Sequence, residues 1–417
     1  MTPANNNLPP CKFSGKHDLQ LILDLGVTPI ADRLLTHNQL TEKEVLIPLR
    51  LAISAGSSLV QITDTVSEQD LYCNDYPYFS SVSPRLLKHF KQSADNLIAT
   101  RKLDKNSYVI EAASNDGYML QFFTERNIPV LGIEPARAQA DFARAKQIPT
   151  INTFFNKKLA LDIYAKNIRA DVFLANNVLA HVLQLAEFID SMALLLKDDG
   201  VAVIEVPYVV DMIDNCEFDT IYHQHIYYFS LTSLKNIFRK SGMYINNLEK
   251  TDIHGGSIRI YVEKYEAEQP IVKKQLEYEQ SRNVGNIDFY KDFPVRIISL
   301  KKRLQQLLSS IKKEGGRIAA YGAAAKGTTF LSFMQIDEKY IEYVVDLNTF
   351  KHGKYMGSNH LKIYPTTKLL EDIPDYTLIL AWNFSEEIIN QMEPYLKLGG
   401  KFIIPIPDLK IIGKNQN

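Results

Sequence analysis

Tyr108-Val109-Ile110-Glu111-Ala112-Ala113-Ser114-Asn115-Asp116-Gly117 decides how the chain is built. Its apolar, β-branched opening reads as a strand buried on both faces of a sheet. The strand ends in small, turn-forming residues and leads into a helical pattern. Small residues at that point let a ligand approach the backbone at the C-terminal edge of a parallel sheet. Outward from it, short apolar runs at 130–134, 171–175 and 201–207 alternate with helical spacing. Such alternation implies a parallel sheet with right-handed crossovers.

On the upstream side, 84–101 has the apolar spacing of a helix. The first 65 or so residues are short apolar runs broken by Gly, Pro and Ser, the pattern of a small, mostly β unit. Downstream, 269–315 is charged and helical, with Pro294 interrupting it. A second α/β series follows, with strands predicted at 317–321, 340–346, 377–381 and 401–405. The expected organisation is α/β: a small N-terminal unit over 1–65, one Rossmann-like domain over 66–285 and a second over 286–417. Ligands of such folds lie in clefts at the sheet edges and between domains.

Composition narrows the function classes. Lys and Arg total 47 against 48 Asp and Glu, a formal net charge of −1. That balance offers no electrostatic footprint for nucleic acid or an anionic membrane. No apolar run reaches the roughly 18 to 20 residues that span a bilayer, and the first ten residues lack the apolar stretch of a signal peptide. Cys11, Cys73 and Cys216 are too few for a disulfide framework. These features place the chain in the cytoplasm; the oligomeric state is left open.

The loop at 111–117 has the makings of a cofactor site. Glu134 ends the next strand, 17 residues beyond Gly117. A carboxylate there can accept both hydroxyls of an adenosine ribose. Only Gly117 is a glycine, so the loop departs from the G-x-G-x-x-G pyrophosphate fingerprint. It suits S-adenosylmethionine (SAM), which has no pyrophosphate. Glu111, Ser114, Asn115, Asp116, Gly117 and Glu134 are the candidate contacts; the alternative is a turn that needs small residues only for packing.

Four motifs follow in order: Ser114-Asn115-Asp116-Gly117, Gly132-Ile-Glu134-Pro135-Ala136, Asn176-Asn177-Val-Leu-Ala-His181 and Phe218-Asp-Thr-Ile-Tyr222-His223-Gln224-His225. Together they resemble the sugar C-methyltransferases of branched deoxysugar biosynthesis. The resemblance extends upstream to Asp75-Tyr76-Pro-Tyr78-Phe79-Ser80-Ser81. Downstream it takes in Gly255-Gly256-Ser257-Ile-Arg259, Gly322-Ala-Ala-Ala-Lys326-Gly327 and Ala381-Trp382-Asn383-Phe384. It implies a class I SAM methyltransferase fold, with Asn176 and Asn177 added to the cofactor contacts. It also implies a nucleoside-diphosphate 4-keto-6-deoxyhexose as acceptor, methylated on the carbon beside the ketone, C3.

Carbon–carbon bond formation of that kind needs a base to make an enolate and donors to hold its oxygen. Histidine suits the base role near neutrality. By resemblance His225 is the base, His181 and Tyr222 orient the sugar or hold the enolate, Tyr76 joins the catalytic set by closing over the acceptor, and Tyr78 contacts the substrate. The family carries an acid between the two histidines, where this chain has Gln224; an amide can contact the sugar but not tune the base electrostatically. A His in such a place is otherwise a hydrogen-bonded structural residue.

In the second α/β series, Gly322 to Lys326 sits between a strand and a helix, and Asp346 ends the next strand. Backbone N–H groups at a helix start and a lysine make an anion site. The resemblance puts the sugar nucleotide there, with Gly322, Lys326, Asp346 and Asn383 as contacts. NAD is the rival ligand, but the loop lacks the three-glycine fingerprint.

The N-terminal unit departs most from the family, whose members bear two Cys-x-x-Cys pairs, a zinc pattern. Here the corresponding positions read Cys11-Lys-Phe-Ser14 and Ser54-Ala-Gly-Ser57. Hydroxyls bind zinc poorly at neutral pH, so no zinc is expected. Rival functions are O- or N-methylation of a sugar nucleotide, a non-catalytic nucleotide-sugar or SAM-binding protein, and an NAD-dependent sugar oxidoreductase.

Overall fold

The structure, a computed structural model, describes residues 8–67, 71 and 79–414. Three sheets carry the chain. The first begins with β1 (Leu19–Pro29), β2 (Leu46–Ser54) and β3 (Val60–Ile62), all antiparallel. The helix Pro84–Arg101 starts with Ser83 accepting from the Leu86 N–H and with Pro84 in its first turn, where a missing N–H costs nothing. Five strands then alternate with helices: β4 (Val109–Ala112), β5 (Val130–Ile133), β6 (Thr150–Ile151), β7 (Ala170–Asn176) and β8 (Leu196–Pro207). β9 (Tyr227–Tyr228), β10 (Tyr244–Thr251) and β11 (Ser257–Glu263) complete this half.

The central sheet has the order β10-β11-β8-β7-β4-β5-β6. β4 to β8 are parallel, while β11 runs antiparallel between β8 and β10. The antiparallel pair is a departure from the all-parallel expectation. Buried Arg259 of β11 binds Glu205 of β8 at 2.7 Å, and His89 of the Pro84–Arg101 helix bonds the same carboxylate at 2.9 Å. A buried charge needs such partners. The strand order reverses between β4 and β7, the crevice where open α/β sheets bind ligands.

β9 does not join that sheet. It pairs with β3, Val60 opposite Tyr228, and becomes the fourth strand of the N-terminal sheet. The small sheet therefore draws on residues far beyond 1–65.

After the helices Pro270–Ser281 and Phe293–Lys313 comes the third sheet. Pro294 lies in the first turn of the second helix and starts it rather than interrupting it. The strands are β12 (Ile318–Tyr321), β13 (Val344–Asp346), β14 (Ile363–Pro365), β15 (Tyr376–Ile379), β16 (Lys401–Ile404) and β17 (Lys410–Ile412). Their order, β14-β13-β12-β15-β16-β17, is that of a dinucleotide fold, with only β17 antiparallel. Its reversal falls between β12 and β15. One continuous apolar core links Leu51, Phe218, Phe229, Leu300 and Leu378, so the three sheets pack as neighbours. Among the described residues no helix is long and apolar enough to cross a membrane.

Candidate active site

The loop after β4 is wound tightly at the reversal of the central sheet. Ala113, Asn115 and Gly117 have φ of 50°, 49° and 74°, and Asn177 after β7 has 57°. Left-handed non-glycine residues gathered at one sheet edge mark backbone held in place for a ligand. Glu134 fixes that loop: its Oε2 accepts the Asn115 N–H and its Oε1 the Ala136 N–H, both at 2.8 Å. Burial pushes the Glu134 carboxyl up to about 7 against those two bonds.

Four buried polar atoms at this edge have no partner among the described residues: Ser114 Oγ, Asp116 Oδ1, Asn176 Oδ1 and Asn177 Oδ1. Orphaned buried polar atoms are costly, and a polar cofactor laid across β4 and β7 satisfies them. The residues therefore fit SAM. Glu111 lies deeper, fully buried in β4, where Asn176 Nδ2 donates to it at 3.2 Å. Burial pushes its carboxyl up to about 8, a neutral group under the cofactor loop at pH 7.

The residues just after the undescribed stretch sit on the same loop. The Ser80 N–H donates to Asn115 Oδ1 at 3.0 Å, and the Ser81 N–H and hydroxyl both donate to Asp116 Oδ2. Phe79 meets Phe142 edge-on at 5.8 Å and stacks on Phe350 at 6.4 Å. It thereby joins the helix after β5 to the turn after β13. Tyr76 and Tyr78 lie outside the described residues.

The turn Leu179–His181 follows β7 directly. Segment 222–226 is laid on it by two bonds of 2.7 Å, Ile226 N–H to the Ala180 carbonyl and His181 Nδ1 to the Gln224 carbonyl. The structure thus brings His181, Tyr222 and His225 together. The His181 and His225 ring centroids are 4.9 Å apart, and Tyr222 lies 4.1 Å from His225. His225 Nδ1 stands 3.0 Å from the Thr220 carbonyl and its Nε2 2.8 Å from the Tyr222 hydroxyl. A carbonyl only accepts, so in the neutral ring the proton sits on Nδ1 and Nε2 accepts from the phenol.

The same logic governs His181. Its Nδ1–H donates to Gln224, and burial pulls its pKa down to about 4. His181 is therefore a neutral ring at pH 7, with Nε2 the acceptor nitrogen. The Gln224 side chain turns elsewhere: its Nε2 donates to the Ala31 carbonyl at 2.6 Å. It is buried against the N-terminal unit and ties that unit to the site.

In the third sheet, Asp346 repeats the device of Glu134. Its Oδ2 accepts the Ala323 N–H and its Oδ1 the Asn348 N–H, both at 2.7 Å. Gly322 has φ 97°, and a Cβ there would meet Ala381 at 2.8 Å. Lys326 Nζ donates to Asn383 Oδ1 at 2.6 Å and lies 4.2 Å from the Trp382 ring. Trp382 Nε1–H in turn donates to Asp219 Oδ2 at 2.8 Å. Burial drives the lysine's pKa down against the pull of Asp219 and Glu217. Lys326 therefore braces the 218–220 turn, whose Thr220 holds His225, as well as standing at the helix start. Two residues the motifs did not reveal complete this edge: Lys351 donates to the Ala323 carbonyl at 2.7 Å and stands 3.7 Å from Asp32 of the N-terminal unit. No sequence spacing links Asp32 to Lys351.

Comparisons with known proteins follow the same three parts. Residues 11–72 match a family model described as "Putative zinc binding domain", 85–247 one described as "Methyltransferase domain", and 252–407 one described as "C-methyltransferase C-terminal domain". The first match gives no support to the expectation of a zinc-free unit. The second falls on the central sheet, a class I SAM methyltransferase fold of Rossmann type. The chain is 29% identical over 405 residues to the C-methyltransferase NovU of Streptomyces niveus, covering 96% of each. Among solved structures, a SAM-dependent methyltransferase from Clostridium acetobutylicum is 8% identical, over 42% of this chain and 91% of that one, with a TM-score of 0.33. Magnesium protoporphyrin IX methyltransferase from Synechocystis is 14% identical, over 43% and 80%, with a TM-score of 0.32. The ordered matches and the relative that spans nearly all of both chains support the sugar C-methyltransferase family that the motifs resemble.

Proposed function

We propose that the enzyme methylates C3 of a nucleoside-diphosphate 4-keto-6-deoxy sugar, with SAM over residues 66–285 and the sugar nucleotide over 286–417. The observation that carries this reading is the Tyr222–His225 pair at 2.8 Å, beside His181 and the edge of the central sheet. SAM supplies an electrophilic methyl on a sulfonium sulfur. The ketone acidifies the neighbouring C–H, and the protein has to receive that proton. As the C–H bond breaks, the Tyr222 oxygen takes the proton while its own passes to His225 Nε2. The imidazolium is stabilised at Nδ1 by the Thr220 carbonyl. His225 Nε2–H now donates to the phenol, so the Tyr222 O–H is turned outward to hold the enolate oxygen. The enolate carbon then takes the methyl as the S–CH3 bond breaks, and His225 returns its proton to solvent.

Glu134 receives the ribose diol of SAM through lone pairs its two backbone bonds leave over, and Ser114, Asp116, Asn176 and Asn177 hold the remainder. Gly322, Asp346, Asn383 and Lys326 shape the nucleotide edge, and Gln224 acts as an anchor. A dinucleotide strand order in the third sheet supports a nucleotide at its reversal point. Buried, unpaired thiols at Cys11 and Cys216 accord with a cytoplasmic location. Incubation with SAM and a panel of nucleotide 4-keto sugars, read by mass and NMR, tests the reading. A new C-methyl at C3 is expected; an O- or N-methyl product, or none with any member, refutes it.

A further inference from the structure

Two tight turns of the N-terminal unit carry the same hydrogen bonds. In the first, the Cys11 N–H donates to the Lys16 carbonyl and the Gly15 N–H to the Cys11 carbonyl, both at 2.8 Å. In the second, the Ser54 N–H donates to the Leu59 carbonyl at 3.0 Å and the Ser58 N–H to the Ser54 carbonyl at 2.9 Å. The fifth residue of each is left-handed, Gly15 at 71° and Ser58 at 56°. First and fourth residues of both turns converge. Cys11 Sγ lies 3.8 Å from Ser57 Oγ, and the Ser14 and Ser54 hydroxyls stand near enough to favour the thiolate form. Paired turns of this kind present four thiolates to one zinc ion when all four positions are cysteine.

The donor set here does not fit zinc. One thiol and three aliphatic hydroxyls replace four thiolates, and a hydroxyl is a poor ligand at neutral pH. Among the described residues no group of three or more His, Cys, Asp or Glu is placed to hold a metal ion. A carboxylate occupies the organising position. Asp18 Oδ2 accepts from Ser54 Oγ at 3.0 Å and from the Gly56 N–H at 2.8 Å. The Ser57 N–H then donates to Ser54 Oγ at 3.2 Å. A Cβ at Gly56 would stand 2.7 Å from Asp18 Oδ2, so the backbone reaches the carboxylate only because this residue is glycine.

We infer that this Asp18-centred hydrogen-bond network closes the two turns in place of zinc, and that the turns keep a metal-ready backbone which three cysteines would complete. The full chain, purified without chelator from zinc-supplemented cells, is expected to carry far less than one zinc per chain. Its melting midpoint should not move with a strong chelator. Asp18→Asn should lower that midpoint by a few degrees, because an amide can answer only part of the carboxylate's role. Ser14→Cys/Ser54→Cys/Ser57→Cys should take up one equivalent of cobalt(II) with thiolate-to-metal absorption, and its midpoint should become chelator-sensitive. Stoichiometric zinc whose removal lowers the wild-type midpoint overturns the inference, as does an Asp18→Asn protein as stable as wild type. A folded triple variant without cobalt binding overturns the shared geometry. If the triple variant does not fold, wild-type zinc content and the Asp18 variant still decide.

Discussion

The Tyr222 hydroxyl and His225 Nε2 stand 2.8 Å apart while His225 Nδ1 is held by a backbone carbonyl. On the proposed reading, the phenol is the group between the imidazole and the acceptor. His225→Asn and Tyr222→Phe should then each lower turnover by about two to four orders of magnitude, with SAM affinity nearly intact. Substrate C–H exchange in deuterated water, without SAM, should slow in both. A Tyr222→Phe enzyme that methylates near the wild-type rate would remove the phenol from the proton's path.

Glu134 binds the cofactor loop and, on the present reading, the ribose. Glu134→Ala should weaken SAM binding by ~1.5–3 kcal/mol, the scale of a charge-assisted hydrogen bond. Calorimetric titration checks this, and an unchanged affinity would place the adenosine elsewhere.

Glu111 bears on pH dependence. Its carboxyl is raised from 4.5 to about 8 by burial, so the folded chain holds this proton where the unfolded chain has lost it. Stability must fall as pH rises across that interval, and level off above it. Glu111→Gln keeps an acceptor for Asn176 and removes the titration. Urea unfolding midpoints between about pH 4 and 9, an interval chosen to span both values, should decline less in the variant. Parallel declines would assign the slope to other groups.

Gln224→Glu restores the residue type the family carries but sets a carboxylate oxygen against the Ala31 carbonyl, where the amide now donates at 2.6 Å. The variant should lose about 1–3 kcal/mol of stability, the cost of a buried bond turned repulsive. An equally stable variant would show that the N-terminal unit is held by its other contacts.

How much of this was legible beforehand depended on whether the signal was local. The helix at 84–101 was, because the apolar spacing that marks it lies within one short stretch. So were the eight parallel strands named from the sequence, each a short apolar run. β10 and β11 carry no such local signal: Tyr244-Ile-Asn-Asn-Leu-Glu-Lys-Thr is more than half polar, and its pairing rests on a neighbour folded back across 252–256. The cluster of His181, Tyr222 and His225 was foreseen from two strand ends. What fixes its protons was not, since Thr220 contributes only a carbonyl, which any residue could supply. The bond from Gln224 to Ala31 has no local signal either, since the two residues stand 193 positions apart.

The pairing of β3 with Tyr227–Tyr228 has a consequence for how the chain matures on the ribosome. As the first 62 residues emerge, β3 has an open edge whose partner has not been synthesised, and an unpaired strand edge invites contact with other chains. That edge must wait for more than 160 further residues, at a synthesis rate of about 5–20 residues per second. The N-terminal sheet therefore stays open at β3 until residue 228 has been made, and fragments ending before residue 227 should be the aggregation-prone ones.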